Sequence, residues 1–175
     1  MNAEAPGPDG RPAGPSRAPL TGEQLLVKDR HGDTVGITAG VLDLEASYVF
    51  NAGQCLALAV ALSERTGWPM YLRVGHGIIG RRRNPCDYAI HAMVQKPDGK
   101  LLDVDGIRDE GDWARSGWEI DPVIIPAADA RTALKKYTAG MVTQDVAVAE
   151  QFVDAVLELA DTPRRRPVVN SSTPF

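Results

Sequence analysis

The chain has 175 residues, of which 43% are hydrophobic, and its formal net charge is -4 at pH 7. This length favours a single domain with a hydrophobic core of its own. The acidic balance excludes a general nucleic-acid binder, which needs a basic surface, and the two cysteines are too few for a disulfide framework.

Neither end of the chain has the composition of a folded segment. Residues 1–19 and 162–175 are rich in Pro, Gly, Arg and small residues and carry few large apolar side chains. Such segments do not bury enough apolar surface to offset the entropy of ordering. We therefore expect both ends to be disordered and residues 20–161 to form the folded catalytic domain.

The sequence carries no visible targeting or membrane signal. The N-terminus lacks the charged-then-apolar pattern of a signal peptide, and no apolar run approaches the roughly 20 residues that span a bilayer. We expect a cytoplasmic protein with reduced thiols and no membrane partner. A signal-independent route of export stays open.

A buried helix is predicted to begin near Asn51. Asn51 is a favourable N-cap, and Gln54 three residues later completes a capping-box pattern. Residues 55–62, CLALAVAL, are apolar on every side, which is typical of a central helix covered on several faces. Gly67 follows the polar sequence SERT and is placed to end the helix. Cys55 therefore lies in the first turn of a central helix.

The rest of the chain predicts strands and two more helices. Strand candidates cover 70–74, 88–95, 100–107 and 118–126. Residues 126–137 begin with a proline, which suits a first helical turn, and residues 143–160 carry an amphipathic stripe with Thr143 as the N-cap candidate. A central helix followed by antiparallel strands predicts an α+β domain.

The sequence KPDGK predicts a tight hairpin between the second and third of these strands. Pro97 and Asp98 suit a type I turn, and Gly99 suits the left-handed position that follows, which makes a three-residue loop with a bulge. In this register Lys96 faces Lys100. A two-residue loop would shift the register by one residue and move one strand's side chains to the other face.

The predicted register groups three ionisable side chains on one face. His91 faces Asp105 directly, and Asp103 is its diagonal neighbour. An imidazole beside a carboxylate is an oriented general base. Cys55 is the candidate nucleophile, because a helix N-terminus and a nearby imidazolium both favour a thiolate, and its backbone N–H is placed to help bind an oxyanion.

The order Cys, His, Asp, with the cysteine opening a central helix, resembles the papain-like superfamily and, in layout, its transglutaminase-like branch. GQCLALAVAL is similar to the nucleophile helix, YAIHAMVQ to the histidine strand and GKLLDVDG to the acid strand. The resemblance covers residues 48–107 and implies an α+β core in which the nucleophile helix packs on an antiparallel sheet. It implies Cys55 as nucleophile, His91 as general base and acid, and Asp103 as orienting acid. Asp105, which the hairpin geometry favours, is the alternative.

The implied reaction is attack by the Cys55 thiolate on an amide or thioester carbonyl to give an acyl-enzyme. Water then completes hydrolysis, as in a peptidase or deamidase, whereas an amine acceptor makes a transglutaminase or acyltransferase. Gln54 and Asn51 are the candidates to bind the oxyanion, although a capping box also accounts for them. We expect a protein or peptide substrate, and no cofactor or metal.

Two other functions stay open in the sequence. A small zinc-binding domain would use Cys55, Cys86, His91 and an aspartate, although the sequence lacks the paired spacing of metal ligands. The two cysteines could instead form a disulfide that acts as a redox lock. In a non-catalytic protein-binding module on the same scaffold, Cys55 would be inaccessible and His91 would lie far from it. His76, in the sequence RVGHGIIG, is predicted to lie in a loop that rims the site.

Overall fold

The computed structural model describes residues 22–78, 84–112, 119–138 and 142–161. Both ends predicted to be disordered lie outside the described residues. In chain order the elements are β1 (Gln24–Lys28), β2 (Thr34–Thr38), α1 (Leu44–Asn51), α2 (Cys55–Thr66), β3 (Met70–Gly77), β4 (Cys86–Gln95), β5 (Leu101–Asp103), β6 (Gly106–Arg108), β7 (Val123–Ile125), α3 (Ala130–Tyr137), α4 (Val146–Glu150) and α5 (Val153–Asp161).

The main sheet has five antiparallel strands in the order β6-β5-β4-β3-β7, and β1 and β2 pair separately as a hairpin. Strand β3 pairs with β4 along its whole length, and the register shifts at a bulge beside the pair Arg73 and His91. Helices and an antiparallel sheet thus share one chain, which confirms the predicted α+β class.

Helix α2 is the central element of the core. Its first nine residues, Cys55–Ser63, are all buried, and it packs against β4, α3 and α4 together with apolar side chains of β3 and β5. A helix that is apolar on every side is stable only where other elements cover it in this way. It ends as predicted at Gly67, which has a φ of 74° and donates its N–H to the Ser63 carbonyl at 2.8 Å.

The start of α2 differs from the prediction. Asn51 is the last residue of α1, and α2 begins at Cys55 after Gln54, whose side chain makes no cap bond. The chain turns between the helices at Gly53, where φ is 133° and a Cβ would lie 2.6 Å from the backbone nitrogen of Arg30. The capping box is therefore wrong, because a second helix and a glycine turn precede Cys55.

The β4–β5 hairpin has the predicted loop and register. Lys96 donates its N–H to the Lys100 carbonyl at 2.8 Å, and Gly99 has the left-handed φ of 83°. Val94 then faces Leu102. The loop chemistry read from KPDGK thus places β5 beside the histidine strand as predicted.

The predicted strand over 100–107 is interrupted at its middle. Strand β5 ends at Asp103, which pairs with Gly106 across a two-residue turn into β6. Gly106 has a φ of 97°, a conformation that side chains with a Cβ rarely adopt. The turn takes Asp105 out of the line opposite His91.

The elements near residues 118–138 are shorter than predicted. Within the strand predicted over 118–126, the described residues form β7 and an isolated bridge between Glu119 and Gly75. The helix over 126–137 begins with a 3-10 turn, Ala127–Asp129, and α3 starts at Ala130. Proline at the start of this segment therefore opens a tighter turn before the α-helix.

The predicted helix over 143–160 is two helices, α4 and α5. Asp145, and not Thr143, is the N-cap of α4, and its carboxylate accepts a backbone N–H of the first turn at 3.1 Å. Phe152 lies at the break between the helices and is fully buried, with its ring edge-on to that of Phe50 at 5.0 Å.

None of the helices in the described ranges is by itself long and apolar enough to cross a membrane. The pair α1 and α2 meets the test of length and composition when taken together, but the two helices are bent by 95° relative to each other.

Candidate active site

The Cys55 thiol lies at the N-terminal end of α2 and is buried, with 2% of the residue exposed. The amides of a first helical turn have no partner within the helix, and they face an anion favourably. No described residue accepts the backbone N–H of Cys55. The thiol and a free amide donor therefore lie at the same point of the fold.

The His91 ring lies between two groups from different elements. Its Nε2 is 3.1 Å from Oδ2 of Asp103, and the two residues are 8% and 2% exposed. Its other partner is the Cys55 side chain, with which it shares a hydrogen bond. The His91 ring therefore contacts both the thiol at the start of α2 and the carboxylate at the end of β5.

The protonation of His91 is set by these two neighbours. Burial is the largest influence and disfavours the imidazolium, but the hydrogen bonds with Asp103 and Cys55 and the electrostatic interactions with these two residues outweigh it. Together they raise the pKa of His91 from 6.5 to about 9. The ring is therefore held as an imidazolium, which can give a proton to a leaving group, at neutral pH.

Asp103 is fixed by contacts on both of its carboxylate oxygens. Oδ1 accepts the backbone N–H of Asp105 at 2.9 Å. Oδ2 accepts the Nε–H of Arg108 at 2.8 Å in addition to its contact with His91. A buried carboxylate needs such donors and a counter-charge. Apart from His91 on β4, these partners of Asp103 come from the β5–β6 turn and from β6.

Asp105, the predicted alternative acid, lies in the β5–β6 turn. Its carboxylate accepts bonds from Ser47 Oγ at 2.7 Å and Asn51 Nδ2 at 3.0 Å, and it also contacts the Arg108 guanidinium. The preference for Asp105 from hairpin geometry is wrong, because it assumed that β5 continued past Asp103.

The two predicted oxyanion side chains have other partners. Gln54 is 1% exposed, and its amide nitrogen donates to the carbonyls of Lys28 at 2.8 Å and Thr143 at 2.9 Å. Asn51 donates to Asp105 and, at 3.3 Å, to Ser47. Both side chains therefore differ from the prediction, because their amide nitrogens donate to protein oxygens and not toward the thiol. The oxyanion donor that the geometry offers is the Cys55 N–H.

Gln144 also contacts the start of α2, and no sequence pattern selects it as a site residue. Its Oε1 accepts the N–H of Ala57 at 3.1 Å, and its Nε2 donates to the carbonyl of Val142 at 3.2 Å and to that of Gly53. The contact joins residues 87 positions apart in the chain. Local sequence patterns do not report such pairings.

The second cysteine lies away from the site. Cys86 is the first residue of β4 and pairs with Gly77, so it lies about 16 Å along the strand from His91. Both cysteines are free thiols, and no group of three or more His, Cys, Asp and Glu residues in the described ranges could hold a metal ion. The described residues thus do not bring Cys86 to Cys55 and His91, as the predicted zinc site and redox lock require.

His76 lies on β3 and not in a loop. Its Nδ1 is 2.8 Å from Oδ1 of Asp87 on the neighbouring strand, and both side chains are exposed. The last two residues of RVGHGIIG, 79–80, lie outside the described residues. The exposed pair is separate from the contacts of His91.

Arg108 is the site residue that sequence reasoning missed. It binds both Asp103 and Asp105, and 18% of its side chain is exposed. The signal that could have found it is the need of a buried carboxylate for a cation, combined with the β5–β6 turn that brings Arg108 opposite Leu101. From the sequence alone, where this turn is not evident, Arg108 is indistinguishable from an ordinary surface arginine.

Comparison of the chain with protein-family models, with curated proteins and with solved structures finds no match.

Proposed function

We propose that this protein is a cysteine-dependent acyl-transfer enzyme that acts on amide bonds of proteins or peptides, on a core of papain-like or transglutaminase-like layout. The observation that carries the proposal is the His91 ring, which contacts Asp103 through Nε2 and also contacts the Cys55 thiol. The three groups come from α2, β4 and β5. A nucleophile, a proton carrier and an orienting acid in this order are the parts that covalent acyl transfer requires.

The proposed first half-reaction uses the Cys55–His91 pair. The thiolate sulfur attacks the carbonyl carbon, and the carbonyl π electrons move to oxygen in the tetrahedral intermediate. The imidazolium gives a proton to the leaving amine nitrogen as the C–N bond breaks, which leaves a thioester on Cys55 and a neutral imidazole. The Cys55 backbone N–H, at the start of α2, stabilises the oxyanion.

The second half-reaction decides between the enzyme subclasses. In hydrolysis, the neutral His91 takes a proton from water, the oxygen attacks the thioester, and the C–S bond breaks to release the acid and restore the ion pair. In transfer, an amine takes the place of water. The acceptor is set by the shape of the cleft, so peptidase, deamidase and transglutaminase chemistry all use the same three side chains.

The burial of Cys55 favours a second candidate, a non-catalytic protein-binding module on the same scaffold. Only 2% of Cys55 is exposed, and buried free cysteines commonly serve as small core side chains. The contact with His91 favours the enzyme instead, because a small core side chain does not require an imidazole that a carboxylate orients beside it. The two functions differ in whether Cys55 forms a thioester.

Trapping an acyl-enzyme tests the proposal directly. The protein is incubated with p-nitrophenyl acetate, release of p-nitrophenolate is followed, and the acetyl group is located by peptide mass spectrometry. We expect acetylation on Cys55, its loss in Cys55→Ser, and a rate lower by about a hundredfold or more in His91→Ala.

The second cysteine supplies the internal control. Cys86 lies on the same chain and is more exposed than Cys55, so non-specific acetylation should reach it first. Acetylation confined to Cys86, or an equal rate on Cys55 with and without His91, contradicts the enzyme and supports the binding module.

A further inference from the structure

A line of alternating charges connects α1 with the candidate site. Asp105 accepts bonds from Ser47 at 2.7 Å and Asn51 at 3.0 Å, both on α1. The guanidinium of Arg108 contacts Asp105 and donates through Nε to Asp103 at 2.8 Å. Asp103 in turn lies 3.1 Å from the His91 ring. Arg108 is the one member of this line with two carboxylate partners among the described residues.

Because Asp103 is buried, its carboxylate requires a positively charged partner, and Arg108 is that partner. Asp103 is 2% exposed, and 18% of the Arg108 side chain is exposed. When Cys55 is a thiolate, the His91 imidazolium lies between two anions and balances only one of them. The second buried anion then needs a second cation, since an uncompensated buried charge is strongly destabilising. Arg108 is in contact with that anion.

The geometry also gives Arg108 a part in orientation. Its Nε–H and the His91 ring share the same oxygen of Asp103, Oδ2, while a backbone N–H holds Oδ1. A planar guanidinium can bridge two carboxylates at once and so fixes the plane of each, which a single ammonium cannot do. Arg108, on β6, therefore helps to hold the Asp103 carboxylate in its contact with His91.

A second charged pair, Arg73 with Glu119, lies near His91. Arg73 lies directly opposite His91 on β3 and is paired with Glu119 at 2.5 Å, where 3% of the Glu119 side chain is exposed. In the part of the chain that the structure describes, the ionisable groups placed beside His91 include Cys55 from α2, Asp103 from β5 and Arg73 from β3. Of the two arginines, Arg108 is the one that contacts the orienting acid.

We propose that Arg108 is a positioning residue for acyl transfer: its guanidinium holds the Asp103 carboxylate in its contact with His91, and Asp105 anchors the guanidinium to α1. The proposal rests on the proposed function, because it assigns Arg108 to the reaction of Cys55. Arg108 touches neither the thiol nor the substrate in this scheme and acts through Asp103 alone.

The experiment measures acetylation of Cys55 by p-nitrophenyl acetate in a Cys86→Ser background, across a pH series from about 5 to about 10. Arg108→Met should lower the plateau rate by about tenfold or more. It should also move the acid limb of the rate profile upward by about one pH unit, because removal of a positive charge beside the site disfavours the anionic form of the groups that react. Arg108→Lys should restore the acid limb but only part of the rate, since it keeps the charge without the bridge.

A matched control removes the same charge elsewhere. Arg65→Met deletes an exposed ion pair with Asp154 near the C-terminal end of α2, and its rate should stay within about twofold of the parent. If Arg108→Met does not fold, Asp105→Asn tests the same bridge. It should lower the rate by about threefold with little change in the acid limb, because the Nε bond to Asp103 remains.

The outcomes separate this inference from the proposed function. An unchanged rate and acid limb in Arg108→Met, while His91→Ala is slow, overturns the role of Arg108 and leaves the enzyme intact. Equal losses in Arg108→Met and Arg108→Lys with an unmoved acid limb also overturn it, because they indicate a structural role. Normal Cys55 acetylation in His91→Ala overturns the proposed function itself.

Discussion

Folding stability should fall as the pH rises from 6.5 to about 9, because His91 holds a proton in the folded protein that it has lost in the unfolded chain. The pKa of His91 is about 9 after folding and 6.5 ordinarily, a difference of about 2.5. Each unit of pKa corresponds to 1.36 kcal/mol, so the proton contributes about 3 kcal/mol to the free energy of unfolding. Since the folded pKa is raised, this contribution is complete below pH 6.5 and is lost as the pH passes about 9.

The measurement compares urea denaturation of the parent protein and His91→Gln at about pH 6 and about pH 10. The stability advantage of the parent over the variant should be about 3 kcal/mol larger at the lower pH. His76→Gln is the matched control, because His76 belongs to an exposed pair with Asp87 and exposed pairs contribute about 1 kcal/mol or less. An advantage that is constant with pH, or that grows with pH, would refute the assignment of the raised pKa to the contacts of His91.

Four further variants test the packing around the site by their effect on the free energy of unfolding. Asp103→Asn should cost about 3 kcal/mol because it leaves Arg108 without its buried partner, whereas Asp105→Asn, with a side chain 31% exposed, should cost about 1 kcal/mol; equal losses would contradict this ranking. Gly53→Ala should cost about 2 kcal/mol or more, since its φ is 133° and its Cβ would meet backbone at 2.6 Å, and a neutral effect would show that the turn can move. Phe152→Ala should cost about 3–5 kcal/mol. A loss below about 1 kcal/mol would show that Phe152 is not packed against Phe50 in the core as described.

Local turn chemistry explains why the β4–β5 hairpin could be predicted. Pro97, Asp98 and Gly99 each fit one backbone conformation of a three-residue loop, and that loop fixes the register of Val94 with Leu102. The apolar sequence of α2 and its cap at Gly67 were equally local signals. The placement of the histidine strand beside Asp103 follows from these few residues.

The parts that could not be predicted depend on contacts distant in sequence or on competing turns. The choice between Asp103 and Asp105 depended on the turn at Gly106, since an uninterrupted strand would have favoured Asp105. The roles of Gln54 and Gln144 depend on partners 89 and 87 residues away. Amide side chains bind any carbonyl that the fold brings near, so their roles follow from tertiary structure alone.

Alkylation of the two native cysteines by iodoacetamide at about pH 6 tests the central claim, that His91 activates Cys55, most directly. The protein is treated for increasing times, and each cysteine is quantified by peptide mass spectrometry, first in the parent and then in His91→Ala. The account predicts that Cys55, although 2% exposed, reacts faster than Cys86 and that this advantage disappears without the imidazole. If Cys55 reacts no faster than Cys86 and its rate is the same in His91→Ala, then Cys55 is a buried core side chain and the account is contradicted.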